Sequence, residues 1–176
     1  MMGRDMATGA ISNPDLSDAA TRQALEASLR PWIAFLRAHA AVMRRLETEL
    51  EREQGISLAD YDALLQLAMA NGKLRMNELA DRLLLTRSGA SRLVDRLADD
   101  GYVERHKCAT DARGAYAVLT ASGRARLRGA APTHLRGIDD HFMAVLPPAD
   151  QAAFTRALEA ILAPLEADRP AAEAGH

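Results

Sequence analysis

A single cysteine, Cys108, stands in these 176 residues. It excludes an intramolecular disulfide and a cysteine-based structural zinc site, and it agrees with a reducing compartment. No apolar run approaches the length of a bilayer span, and the N-terminus lacks a signal-peptide pattern, so the cytoplasm is the expected location and no membrane partner is expected. Internal repeats and low-complexity linkers are missing too. Catalytic signatures are equally scarce: no glycine-rich phosphate loop, nucleophile elbow or metalloprotease pair occurs, and the carboxylates fall on predicted exposed helical faces. An enzyme is therefore the weakest reading, and no cofactor is expected. What remains is one compact domain or subunit with enough chain to bury a core.

Net charge is also nearly absent, at −2, but the average hides a dipole. Residues 73–128 hold 12 Lys or Arg against 7 Asp or Glu, a balance of +5, which leaves −7 for the rest. Local positive charge supplies most non-specific affinity for nucleic acid, so this segment matters more than the total.

The pattern is mostly helical, with a period of 3.6 residues. A first helix is predicted from about Ser17 to Glu53, with Gly55 as its stop and Pro31 as a kink or break. Leu29, Trp32, Leu36, His39, Met43, Leu46 and Leu50 draw one seam along it. The seam suits a subunit contact and burial within one chain equally well. Ser57 with Asp60 predicts a cap for a second helix, whose Tyr61, Leu64, Leu65 and Ala68 share a face until Asn71 and Gly72 end it.

Two short helices follow. Met76 to Leu83 turns Leu79, Ala80 and Leu83 inward, and Leu84 and Leu85 connect it to a helix capped by Thr86. In that helix Ala90, Leu93, Val94 and Leu97 can pack, which leaves Arg87, Ser88, Ser91, Arg92, Asp95 and Arg96 outside. An exposed helical face with Arg, Ser and Thr near its N-terminus suits the major groove of DNA, where Arg bridges guanine O6 and N7. Alternating segments Tyr102 to Lys107 and Gly114 to Leu119 then form a hairpin, the only strands expected. Its loop carries Arg113, which can enter a narrow minor groove, while Asp111 is repelled by phosphate and is assigned to holding Arg113 or a backbone amide. Helix, turn, helix and wing in this order point to double-stranded DNA. Thr120 predicts the cap of a long helix to about Val145 with a kink at Pro132, and Pro147 and Pro148 restart the chain. Phe154, Leu158, Ile161, Leu162 and Leu165 stripe the last helix.

Glu78-Leu79-Ala80, the run from Arg87 to Leu97, Gly101-Tyr102-Val103-Glu104-Arg105, Asp111-Ala112-Arg113 and Leu119-Thr120-Ala121-Ser122-Gly123 together resemble the MarR family of bacterial transcription regulators. The resemblance covers residues 57 to 128 best. It departs at Arg75, which stands where many members have a Thr or Ser cap. The fold it implies is mainly α with a small β-wing, a winged helix-turn-helix flanked by long dimerisation helices. Residues 1–16 and 169–176 are then tails, 17–56 and 120–168 the dimerisation helices, and 57–119 the DNA-binding lobe. It also implies a homodimer on a palindromic operator, acting as a repressor that a small aromatic effector releases. Thr86, Arg87, Ser88, Ser91, Arg92, Arg96, Arg105, Lys107 and Arg113 are the expected DNA-binding residues.

For the effector, Leu36, His39, Met43 and Leu65 are the candidates. His39 is the one polar residue in its seam, so burying it requires a hydrogen bond or a ligand, and a satisfied interfacial histidine is the plainer reading. Cys108 has Arg105, Lys107 and Arg113 nearby to stabilise a thiolate, which makes oxidant sensing one alternative function. Family members that sense oxidants place their cysteine near the first helix, which favours an incidental residue here. A protein-interaction use of the winged helix is the other alternative. His134 and His141, with Asp139 and Asp140, are too widely spaced for a tight metal pair, so a solvated polar face and no metal are expected.

Overall fold

A computed structural model describes residues 17–107 and 115–167. The elements are α1 (Ala19–Gln54), α2 (Leu58–Met69), β1 (Lys73–Arg75), α3 (Met76–Arg82), α4 (Arg87–Asp99), β2 (Val103–Lys107), β3 (Ala115–Leu119), α5 (Ala121–Ile138), a π-helical turn (Asp139–Met143) and α6 (Pro148–Ala167). Two compact units divide between residues 41 and 42, inside α1. In the first unit α1 runs without a break through Pro31, and Trp32, Ile33, Phe35 and Leu36 are exposed.

The second unit holds the core. Leu46 and Leu50 from the end of α1 pack with Tyr61, Leu64 and Leu67 of α2, Leu79 of α3, Leu93, Val94 and Leu97 of α4, and Leu127 and Ala130 of α5. Caps fix where these helices begin. The Ser57 hydroxyl accepts from the Asp60 amide at 3.1 Å and donates to the Asp60 carboxylate at 2.7 Å, so α2 starts with a reciprocal pair. Thr86 accepts from the Gly89 amide at 3.1 Å and Thr120 from the Gly123 amide at 2.9 Å. Arg75 precedes α3 without a side-chain acceptor, but the Glu78 carboxylate accepts from the Arg75 amide at 3.1 Å, which satisfies one end of that turn.

The sheet has three strands where the sequence led us to expect two. β1 pairs antiparallel with β3, and β3 with β2, in the order β1-β3-β2. At three residues β1 is too short to show alternation in the sequence. Across the sheet Leu74, Ala117, Val103 and Leu119 turn inward and are buried.

Further differences lie in α5. It ends as a regular helix at Ile138, and the Ala144 amide bonds back to the Asp139 carbonyl at 2.8 Å, a π-type turn in place of the helix expected to Val145. A Cβ at Gly123 would collide with the Tyr102 carbonyl, so only glycine lets the start of α5 abut the chain entering β2. The expected solvated polar face holds for Asp139 and Asp140, which are exposed, but fails at His134 and His141. His134 is buried with its ring 4.3 Å from that of Tyr61, and His141 bonds Glu49 at 2.7 Å. His134 of α5 thus packs on α2 and His141 of the π-helical turn reaches α1, which periodicity alone does not reveal.

Candidate nucleic-acid interface

The buried side chains of α4, Ala90, Leu93, Val94 and Leu97, fix its rotation. Arg87, Ser88, Arg92, Asp95 and Arg96 consequently face solvent, and Ser91 is half-buried beside them. Thr86 lies at the start of this face with its hydroxyl committed to the cap and 3.2 Å from Ser88 Oγ.

The arginines divide into two groups. Arg96 is held by Asp60 at 2.5 Å, which ties α4 to the first turn of α2. Arg105, from β2, pairs with Asp95 and reaches Ser91 Oγ at 3.2 Å. That pairing clamps the wing to the recognition face. Arg87, Arg92 and Lys107 form no ion pair among the described residues. Lys107 stands two residues beyond Arg105, on the same side of the sheet, because successive strand residues alternate. Two of these unpaired cations thus lie on α4 itself and the third on the neighbouring strand, while the paired ones position the helix. Surface pairs of this kind add little stability, so their value is orientation.

Asp111 and Arg113, with Cys108, lie outside the described residues. Their assigned contacts rest on the sequence alone. Sequence reasoning also missed a basic group on the opposite face of the sheet. Lys73 Nζ stands 4.1 Å and the Arg75 guanidinium 5.4 Å from the Tyr116 ring centre. Both were counted in the basic segment, but only the β1–β3 register brings them onto one tyrosine.

A cavity of about 260 Å³ lies behind α4, lined by Met43, Glu47, Leu58, Ala59, Asp62, Leu83, Leu85 and Leu93. Of the four effector candidates only Met43 lines it. Leu65 is half-buried elsewhere on α2, and Leu36 and His39 are exposed in the first compact unit, where His39 stacks 6.2 Å from Phe35. His39 therefore carries no burial cost within the protomer. Glu47 accepts from the Leu58 amide at 2.6 Å. Burial, and then the charge of Glu47, push the Asp62 carboxyl up to about 6.

A capped helix presenting free arginines, clamped to a β-hairpin, defines a winged helix-turn-helix DNA-binding protein. Residues 54–114 match the model of the MarR family. Sco3205, a MarR family transcriptional regulator from Streptomyces coelicolor solved in complex with DNA, is 30% identical, with 84% of this chain and 92% of that one aligned at a TM-score of 0.71. The chain belongs to the MarR family of transcription regulators. The uncharacterised HTH-type transcriptional regulator YkoM of Bacillus subtilis is 26% identical over 70% of this chain and 79% of its own length. BpsR of Bordetella bronchiseptica, whose DNA binding is regulated by 6-hydroxynicotinic acid, shares the fold at 17% identity, 75% and 98% coverage and a TM-score of 0.67. These relatives are regulators, not enzymes, and no helix among the described residues is long and apolar enough to cross a membrane.

Proposed function

We propose that the protein is a homodimeric repressor that binds a palindromic operator and releases it when a small effector occupies the cavity behind α4. The observation that carries the DNA reading is the outward face of α4, where Arg87 and Arg92 are exposed and, among the described residues, free of ion pairs while Arg96 and Arg105 are held. In this reading Thr86, Arg87, Ser88, Ser91 and Arg92 meet the major groove, Lys107 meets phosphate, and Arg113 enters the minor groove with Asp111 holding it. Arg96 and Arg105 keep α4 and the wing in register.

The dimer is supported by apolar side chains that the protomer leaves uncovered: Trp32, Ile33, Phe35 and Leu36 on α1, and Ile161, Leu162 and Leu165 on α6. Two heads set about one DNA turn, roughly 34 Å, apart enter successive major grooves. An effector that favours another spacing weakens binding. The cavity supports the effector role because Leu85 and Leu93 in its wall adjoin the cap and the buried face of α4.

Selection of binding sites from a random duplex library, paired with light scattering of the free and bound protein, tests this. The expected result is a palindrome with half-sites about one turn, roughly 10 bp, apart, bound by two copies. Recovery of a single asymmetric half-site by a monomer, or of no preferred sequence, refutes it.

A further inference from the structure

Several acids of the second unit, from half-buried to exposed, are matched. Glu49 pairs with His141, Glu53 with Arg52 and Arg136, Asp60 with Arg96 and Asp95 with Arg105. Asp62 breaks the pattern. It is half-buried in the wall of the cavity, and no donor reaches it among the described residues. Its charged neighbour in that wall is another acid, Glu47 of α1, one of whose oxygens is taken by the Leu58 amide at 2.6 Å. The remaining wall offers no titratable group: Met43 from α1, Leu58 and Ala59 from α2, Leu83 and Leu85 from the turn between α3 and α4, and Leu93 from α4. An uncompensated, half-buried carboxylate against an apolar wall is costly, and such costs are kept where a ligand offsets them.

We propose that the cavity takes a small apolar molecule bearing one protonated nitrogen, whose N–H groups bond to Asp62 and to the free oxygen of Glu47 while its hydrocarbon part lies against Met43, Leu83, Leu85 and Leu93. This rests on the effector reading of the same cavity and narrows its ligand to the amines. The volume of about 260 Å³ lies just below the usual range for drug-sized ligands, roughly 300–1,000 Å³, and suits a single ring. An aromatic carboxylate of the same size would bring a third negative charge to Glu47 and Asp62. Because Asp62 carries a proton below about pH 6, an ammonium finds its ionised partner only above that pH. Glu47 is the titratable group facing it.

Calorimetric titration of the full chain with benzylamine, benzyl alcohol, benzoate and 6-hydroxynicotinate tests the ligand class. Benzylamine is expected to bind at pH 7.5 and to lose roughly tenfold in affinity at pH 5, since about one Asp62 in ten is then ionised. Benzyl alcohol should bind more weakly and independently of pH. Asp62→Asn should lose tenfold or more for benzylamine and leave benzyl alcohol unchanged, which also verifies that the variant cavity is intact. The proposal is overturned if benzylamine gives no heat, if either anion binds as tightly as benzylamine, or if amine affinity ignores both pH and Asp62→Asn. DNA release, followed separately by fluorescence anisotropy, distinguishes the two readings. Amine binding through Asp62 without any change in DNA affinity upholds the ligand class and refutes the effector role. Release of DNA by an anion, with no heat from benzylamine, does the reverse.

Discussion

Leu64 in α2 and Leu162 in α6 are the same residue on two apolar-striped helices, yet Leu64 is fully enclosed and Leu162 is 50% exposed. The difference extends to their surroundings. Around Leu64 each helix starts at a side-chain cap or half-cap, a sheet closes one side, and ion pairs hold the outward face in register. Around Leu162, Ile161 and Leu165 are exposed as well. One region is finished by its own chain. The other has a surface that, in the proposed dimer, a second copy completes, and so the two should respond to mutation through different equilibria.

The strongest way to break this contrast is at its enclosed end. Leu64→Ala should cost about 2–5 kcal/mol of unfolding free energy in urea, since it leaves a cavity in a core with little room to collapse. A loss below about 1 kcal/mol would mean that the head is packed less tightly than described. At the exposed end, Leu162→Glu should leave the spectroscopic signature of the folded head intact while weakening self-association by at least about 1–3 kcal/mol, because a charge enters an apolar contact. Sedimentation at graded concentrations reads this directly, and an unaltered dimer places the interface elsewhere.

Arg92→Ala sharpens the comparison within the head. It should weaken operator binding by about 1–3 kcal/mol, with discrimination lost at one base position of each half-site, and leave the melting temperature unchanged. A variant that loses thermal stability but keeps its sequence preference would make Arg92 a structural residue. The smallest expected effect concerns His134, whose burial lowers its pKa from the ordinary 6.5. The unfolded chain takes up that proton first, so the histidine lowers stability as pH falls below about 6.5 and no further once the folded form is also protonated. His134→Gln should remove no more than about 1 kcal/mol of this acid-side loss, measured as the difference between urea midpoints at pH 7.5 and pH 5.5. Identical pH profiles for the two proteins would contradict the shift.

Much of the head was legible because its signals are local. Ser57, Thr86 and Thr120 each cap within three residues, and Asn71 and Gly72 take the left-handed conformations that such residues favour at a helix end, with φ of 58° and 90°. The turn between α3 and α4 was placed correctly, though nothing local indicated that Leu84 itself adopts φ 54°. What escaped depends on partners distant in sequence. Arg96 meets Asp60 across 36 positions and His141 meets Glu49 across 92, so their engagement could not be read from spacing. β1 gains its identity from β3 alone. Asp62 looked like one more charge on a helical face until Leu83, Leu85 and Leu93, from a turn and another helix, closed an apolar wall in front of it.

The pairing of Arg105 with Asp95 bears on how this scaffold can be re-engineered. Transplanting α4 alone into a sister regulator, or replacing it with a designed reader, strands a guanidinium on the hairpin and undoes the clamp between helix and hairpin. Helix and hairpin are inherited as one cassette. Altered specificity should therefore be sought by exchanging residues 86–119 together, or by varying Arg87, Ser88 and Arg92 while Asp95 and Arg105 are left in place.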